Sequence, residues 1–215
     1  MDTITCLEIT KFVLDQPGVV PSSLSSSMAA NDLSLRYGLE SQDPRNLYLV
    51  RAWDASKHLH DLTSNVTREA NARIDSTISG KMAYRIHVHL ECEPYTALNA
   101  PLTEVVVWKM REGASRAVVE QLLTKLMAIV TKIPIEEGKY KNGWGRIINE
   151  DKERQFIVLI GWTDMEAFTT AVANSPDGRA VLAALEQVTE RQIRHMPLQK
   201  VRPRPQMQQL VESHL

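Results

Sequence analysis

The sequence predicts an α+β fold in which one unit (strand, helix, strand, strand, helix, strand) occurs twice in tandem, with the two antiparallel sheets packed face to face. Three pairs of blocks carry that prediction. Leu47 to Leu59 is an apolar run ending at Trp53, then a capping residue and a helical pattern; it returns in pattern as Phe156 to Phe168, where Trp162 stands 109 positions after Trp53. Thr5 to Phe12 matches Thr103 to Met110 at an offset of 98, and Lys81 to Glu91 matches His195 to Arg202 at an offset near 111. Ordered agreement with drifting spacing is what duplication followed by loop divergence leaves.

The elements follow in order. Thr3 to Leu14 is rich in β-branched residues and reads as the first strand, closed by Gln16-Pro17-Gly18. Pro21 to Tyr37 mixes Leu24, Met28, Leu33 and Leu35 with four serines and Asn31-Asp32, the pattern of a short or irregular helix. The second strand is weak, around Leu39 to Gln42. The central strand ends at Trp53, Asp54 caps the next helix, and Leu59, Leu62, Val66, Ile74 and Ile78 mark its buried stripe. Lys81 to Glu91 closes the first unit, and Glu93 to Pro101, with Pro94 and Pro101, reads as a linker.

The second unit is more apolar. Its opening strand is Val105-Val106-Val107-Trp108-Lys109-Met110. After a cap at Ser115, Val119, Leu122, Leu123, Leu126, Ile129, Val130 and Ile133 follow the i, i+3, i+4 rule. Gly143 to Asn149 and Phe156 to Trp162 are strands. Thr163 with Glu166 forms a capping box, Ser175-Pro176 opens a helix running through Val181, Leu182 and Leu185, and the last strand begins at His195. The expected division is residues 1–96, 97–203 and an extended tail at 204–215.

At 215 residues with 43% hydrophobic side chains, the chain can bury one sizeable core or two small ones that share it. Twenty-five basic and 26 acidic residues leave a net charge of -1, no footprint for nucleic acid or an anionic membrane. Cys6 and Cys92 are the two cysteines, which argues for reduced thiols, with Cys6 as buried filler. The start of the sequence lacks a secretory pattern, and no run approaches the ~20 apolar residues of a membrane span, so a cytoplasmic protein is expected. Gly-rich phosphate loops, a Gly-x-Ser-x-Gly elbow, His-Glu-x-x-His and Cys-x-x-Cys are all absent, so neither a cofactor nor a metal is expected.

Comparison of the two units singles out polar residues. Arg51 stands where the other unit has Ile160, and a guanidinium among apolar neighbours needs a partner or a cavity. Glu8, aligned with Val106, is its natural partner on the adjacent strand. On the last strand of the first unit, Met82, Tyr84, Ile86 and Val88 share one face, and Arg85, His87 and His89 the other. His58 on the helix that follows the central strand, Trp53 as an aromatic wall and Met28 complete the candidates. His195 aligns with the Ala83-Tyr84 region.

The opening strand Val105 to Gly113 and the strand-Trp-cap-helix blocks at Trp53 and Trp162 resemble the dimeric α+β barrel superfamily. The closest resemblance is to tandem antibiotic-biosynthesis-monooxygenase-like proteins of secondary metabolism. It covers almost the whole chain and implies two ferredoxin-like repeats that form the barrel within one chain. The superfamily includes oxygenases that use no cofactor, cyclases, isomerases, decarboxylases and haem-degrading enzymes, so the fold does not choose among them. The expectation is a cofactor-free cyclase or isomerase, a pericyclase among the options, acting on a small apolar polyketide- or terpenoid-like substrate. Arg51, His87, Tyr84 and His58 would be catalytic, and Trp53, Glu8, His89 and Met28 would line a cavity in the first unit, with the second unit mainly scaffold. The alternatives are a cofactor-independent monooxygenase of phenols or anthrones and a non-catalytic ligand-binding or stress-response protein. Association into a homodimer is left open.

Overall fold

The structure, a computed structural model, describes residues 5–21, 24, 35–54, 65–90, 93–133, 139–149 and 152–201. In the first half, β1 (Thr5–Leu14), β2 (Arg36–Leu39) and β3 (Asn46–Asp54) precede α1 (Asn65–Thr77) and β4 (Gly80–Leu90). A short helix α2 (Tyr95–Leu98) occupies the expected linker. The second half runs β5 (Leu102–Met110), α3 (Arg116–Thr131), β6 (Lys139–Ile147), β7 (Gln155–Trp162), α4 (Met165–Asn174), α5 (Pro176–Val188), β8 (Thr189–Met196) and β9 (Gln199–Lys200). The weak second strand lies a few residues earlier than the sequence suggests, and the final strand starts at Thr189 instead of His195. Asp164, not Thr163, caps α4, its Oδ1 accepting from Ala167 N at 2.8 Å. Ser175 caps α5 as expected, its Oγ accepting from Gly178 N at 3.0 Å.

The strands form one sheet in the order β8-β5-β7-β6-β4-β1-β3-β2-β9. Every pairing is antiparallel. Because β8 and β9 lie at opposite ends of that order yet adjoin in the chain, the sheet closes on itself, and its two halves face each other across a common interior. This is the dimeric α+β barrel architecture, contained within one chain. Two seams close it. At one, Val88, His89 and Leu90 of β4 pair with Ile147, Arg146 and Gly145 of β6. At the other, Arg36 and Tyr37 of β2 pair with Lys200 and Gln199 of β9, extended by hydrogen bonds from Ser41 N to His195 O (2.8 Å) and from Val201 N to Leu35 O (3.1 Å).

Alternation along each strand separates three apolar layers. Leu7, Ile9, Val50, Val88, Ile157 and Leu159 point into the barrel, where residues of both halves mix in one cluster. Phe12, Leu47, Leu49, Ile74 and Ile78 pack outside the first half's sheet, and Trp108, Phe156, Trp162, Leu123 and Leu185 outside the second's. Each half thus shares its inner face and keeps its outer face for its own helices. Among the described residues no helix is long and apolar enough to cross a membrane.

A glycine permits the close approach at each seam. A Cβ on Gly38 would lie 2.8 Å from Pro197 O, and one on Gly145 would collide with His89 O. Gly145→Ala is therefore expected to cost about 2 kcal/mol or more, through the forced separation of β4 from β6. Gly113→Ala has open space around it and only a left-handed backbone to strain (φ +74°), so it should cost about 1 kcal/mol. Urea midpoints of the two variants measure the difference.

Candidate active site

The outer face of the first half carries a buried polar cluster beneath α1. Glu8, opposite Arg51 on β3 and His87 on β4, is 5% exposed. Its carboxylate lies 3.8 Å from Arg51 Nη1, 3.8 Å from Arg85 Nε and 3.2 Å from His87 Nε2. From α1, Asn71 accepts from Arg51 Nη1 at 3.0 Å and donates to Glu8 Oε2 at 3.5 Å. Asp75 takes Arg85 Nη2 at 2.7 Å, and Thr10 Oγ1 accepts from Arg85 Nε at 3.0 Å. Burial alone would raise the Glu8 carboxyl; the His87 hydrogen bond and the Arg51 and Arg85 charges outweigh it and hold the group below the ordinary carboxylate range. Glu8 is ionised and fully committed to its partners.

The outer face of the second half is different. A cavity of about 150 Å³ lies between its sheet and α3, α4 and α5, walled by Trp108, Trp162, Phe168, Ile160, Leu126 and Leu182 among others. One carboxyl, that of Glu104, lies in this wall. It is 4% exposed, and Trp162 donates its indole N–H to Oε2 at 2.7 Å. Burial pushes its pKa up to about 7, against the lowering effects of the Trp162 hydrogen bond and the Arg191 charge. Arg191 itself is held over the Trp108 ring at 5.5 Å and by Glu186 at 2.8 Å.

Pairing partners show how the two faces correspond. Glu8 sits between Arg51 and His87; Glu104 sits between Ile160 and His195. With Arg51 and Ile160 equivalent through the tryptophan blocks, Glu8 corresponds to Glu104, not to Val106, and His195 corresponds to His87, not to Ala83 or Tyr84. Arg85, two positions before His87, likewise corresponds to Ile193, two before His195. The same Glu-His pair occurs in both halves, with two arginines beside it in one and two isoleucines in the other.

Arg51, Glu8 and His87 come together as the sequence suggests, and His89 lies on the same strand face. Tyr84 is on the opposite face: it shares a hydrogen bond with Tyr48 inside the barrel, beside a polar-lipped cavity of about 270 Å³. It does not share a site with Arg51 and His87. Trp53 is placed only as a strand position, opposite Cys6, and His58 and Met28 lie outside the described residues. A cavity is expected in the first half, where residues 25–34 and 55–64 lie outside the described set; the described residues form one in the second half. Glu104 is missed from sequence because the valine run beside it reads as plain core, yet an acid inside an apolar strand was the signal. Among the described residues no group of three or more His, Cys, Asp or Glu is placed to hold a metal ion.

The chain has the fold of the dimeric α+β barrel superfamily. Among solved structures it is similar to a candidate monooxygenase from Fusobacterium nucleatum (9% identity, 93% of this chain and 94% of that one, TM-score 0.63). It is also similar to one from Lactobacillus acidophilus (11%, 93% and 97%, TM-score 0.56) and to an anthrone oxidase-like protein (10%, 92% and 92%, TM-score 0.59). No protein-family profile and no curated protein sequence matches the chain.

Two variants separate the two carboxyls. Arg51→Ile leaves the Glu8 carboxylate buried with one cation fewer and should lose roughly 3 kcal/mol of stability at pH 7, read from the denaturation midpoint. Glu104→Gln acts in the other direction. A carboxyl whose folded pKa is raised contributes stability that is present below its unfolded value, about 4.3, and lost as pH rises through about 7. The Gln variant keeps the acceptor for Trp162 and should gain on the wild type by roughly 2 kcal/mol more at pH 8 than at pH 5.

Proposed function

We propose that the protein is an oxygenase that works without a cofactor on a small, flat, apolar substrate, a phenol or a ketone with an acidic CH2, held in the cavity of the second half. The observation that carries this reading is Glu104, a carboxyl with a pKa near 7 in the wall of a largely apolar, aromatic-walled cavity that Arg191 and Ser175 also line. A base is most effective when its pKa lies near the working pH, and burial is what brings a carboxyl there. The names of the similar structures, candidate monooxygenases and an anthrone oxidase-like protein, support oxygen chemistry over cyclisation.

Ionised Glu104 would take a proton from the substrate CH2, and Trp108, Trp162 and Phe168 would hold the ring. The resulting enolate passes one electron to dioxygen, the radical pair combines at that carbon, and loss of water from the hydroperoxide leaves a carbonyl. One oxygen atom enters the substrate and the other leaves as water, and the four electrons come from the CH2 carbon. Removing water from the site favours this course, since an apolar cavity protects the carbanion from simple reprotonation. A cavity of about 150 Å³ is the size that accepts benzene in a well-studied engineered case, which favours one- or two-ring substrates over three-ring ones. The same proton abstraction would serve an isomerase, and oxygen uptake distinguishes the two.

With 2-tetralone as probe, one dioxygen should be consumed per product, measured by oxygen electrode and mass spectrometry. The rate should rise with pH through about 7, as Glu104 ionises. Glu104→Gln should lower it at least about 100-fold. Product formed undiminished under nitrogen would overturn the oxygenase reading.

A further inference from the structure

We propose that His195, oriented by Gln42 from the other half of the chain, is a positioning residue for Glu104. Its Nε2–H offers the ionised carboxylate a second seat away from Trp162. The inference deepens the proposed function and rests on Glu104 being its base, but the interaction itself can be read without any substrate.

Three observations converge. The hydrogen-bonding state of His195 is fixed locally: Gln42 Oε1 accepts from His195 N at 3.2 Å, which turns the amide nitrogen toward the ring, and Gln42 Nε2 lies 2.7 Å from Nδ1. An amide NH2 only donates, so Nδ1 accepts and the proton of the neutral ring is on Nε2. Burial lowers the His195 pKa and keeps the ring neutral. That Nε2–H is then a buried donor with no hydrogen-bond partner, on a side chain 3% exposed. An orphan of this kind calls for an explanation.

The register supplies the acceptor. Glu104 is directly opposite His195, on the same face of neighbouring strands, where side chains are within reach of each other. The equivalent pair in the first half shows the contact made, with His87 Nε2 3.2 Å from Glu8 Oε2. In the second half Glu104 turns the other way, to Trp162 on β7. Phe168 packs on both rings, 4.7 Å from the His195 centroid and 5.9 Å from that of Trp162, so one aromatic of the cavity wall contacts both donors. A protonated carboxyl presents one carbonyl oxygen as its main acceptor, and the Trp162 N–H occupies it. An ionised one gains from a second donor, and His195 is the donor available.

Other groups facing Glu104 do not take this role. Arg191 on β8 is engaged by Glu186 and the Trp108 face, Ile160 and Ile193 flank the site on the strands, and α3, α4 and α5 present apolar side chains with Ser175, whose hydroxyl caps α5. The first half thereby enters the second half's site through Gln42, at the seam where Ser41 N also binds His195 O.

The test is nitrogen-15 NMR on the full chain with labelled histidine, from pH 5 to pH 9, the His195 signals being assigned by their loss in His195→Gln. The expected result is a neutral Nε2–H ring whose nitrogen and Hε2 shifts change with a midpoint near 7, with the change abolished in Glu104→Gln. In Gln42→Leu the ring should redistribute its proton between the two nitrogens. His195→Phe should move the Glu104 midpoint, followed by carbon-13 carboxyl shifts, upward by about one pH unit, a tenfold loss of ionisation at fixed pH. His195 shifts that are flat across the range, or that titrate unchanged in Glu104→Gln, would overturn the proposal. Neither result depends on oxygen uptake, so an NMR failure leaves the oxygenase reading standing, and a failure to consume oxygen leaves the dyad standing.

Discussion

Unpaired strand edges are the constraint from which the rest of this structure follows. A four-stranded sheet built from one half alone would expose a row of backbone N–H and C=O groups at each side. Here each half's last strand satisfies the second strand of the other, β4 on β6 and β8 with β9 on β2. The two junctions use the same device, a glycine on the second strand beneath a backbone carbonyl, His89 O on β4 at one and Pro197 O between β8 and β9 at the other. Closure commits the inner faces of both sheets to a shared interior, so helices and any cleft beneath them are confined to the outside. It also ties the halves chemically, since the segment after β2 that supplies Gln42 runs alongside the end of β8.

On those outer faces the same Glu-His pair meets two environments, and the difference is one of electrostatic compensation. Removing a carboxylate from water costs several kcal/mol unless cations and donors replace the lost hydration. The first half replaces it with Arg51, Arg85, His87 and Asn71, and the outcome is an ionised, immobilised Glu8. The second half has Ile160 and Ile193 at the arginine positions and one indole donor. Glu104 responds by keeping its proton up to about pH 7, and the two isoleucines line the cavity beside it.

Much of this was legible in the sequence, and the parts that were not have definite causes. The tryptophan blocks identified the central strands correctly because each apolar run ends at a tryptophan and gives way at once to polar residues, which bounds the run at strand length. The opening strands did not align themselves: offsets of 98 and 96 are both even, so a run such as Val105-Val106-Val107 satisfies the inside-outside pattern either way, and only cross-strand pairing selects Glu104 as the partner of Glu8. For the last strand the matched region, Ala83-Tyr84, lies three to four residues early and spans both faces, which concealed the equivalence of His195 with His87. The cavity was illegible for another reason. An apolar pattern reports that residues are buried, and it carries no information on whether their volumes fill the space between sheet and helices.

A purely structural role does not account for Glu104. Glutamine would accept the same Trp162 hydrogen bond, fill nearly the same volume and never ionise, so the only property the carboxyl adds at this position is a proton it can lose near neutral pH. That property has a cost in stability as pH rises through about 7, because burial among Ile160, Ile193 and the aromatic wall penalises the ionised group by more than the Trp162 hydrogen bond and the Arg191 charge return. Glu8, with its cations, has the opposite linkage: its folded pKa is depressed, so it contributes stability above the unfolded value and loses it as pH falls through the folded one. Of two carboxyls at equivalent positions, one serves the fold at neutral pH and the other works against it. The second is the one in the wall of the aromatic-lined cavity, and the proposed function rests on that difference: a proton held up to about pH 7 is one that can be exchanged with a molecule bound there.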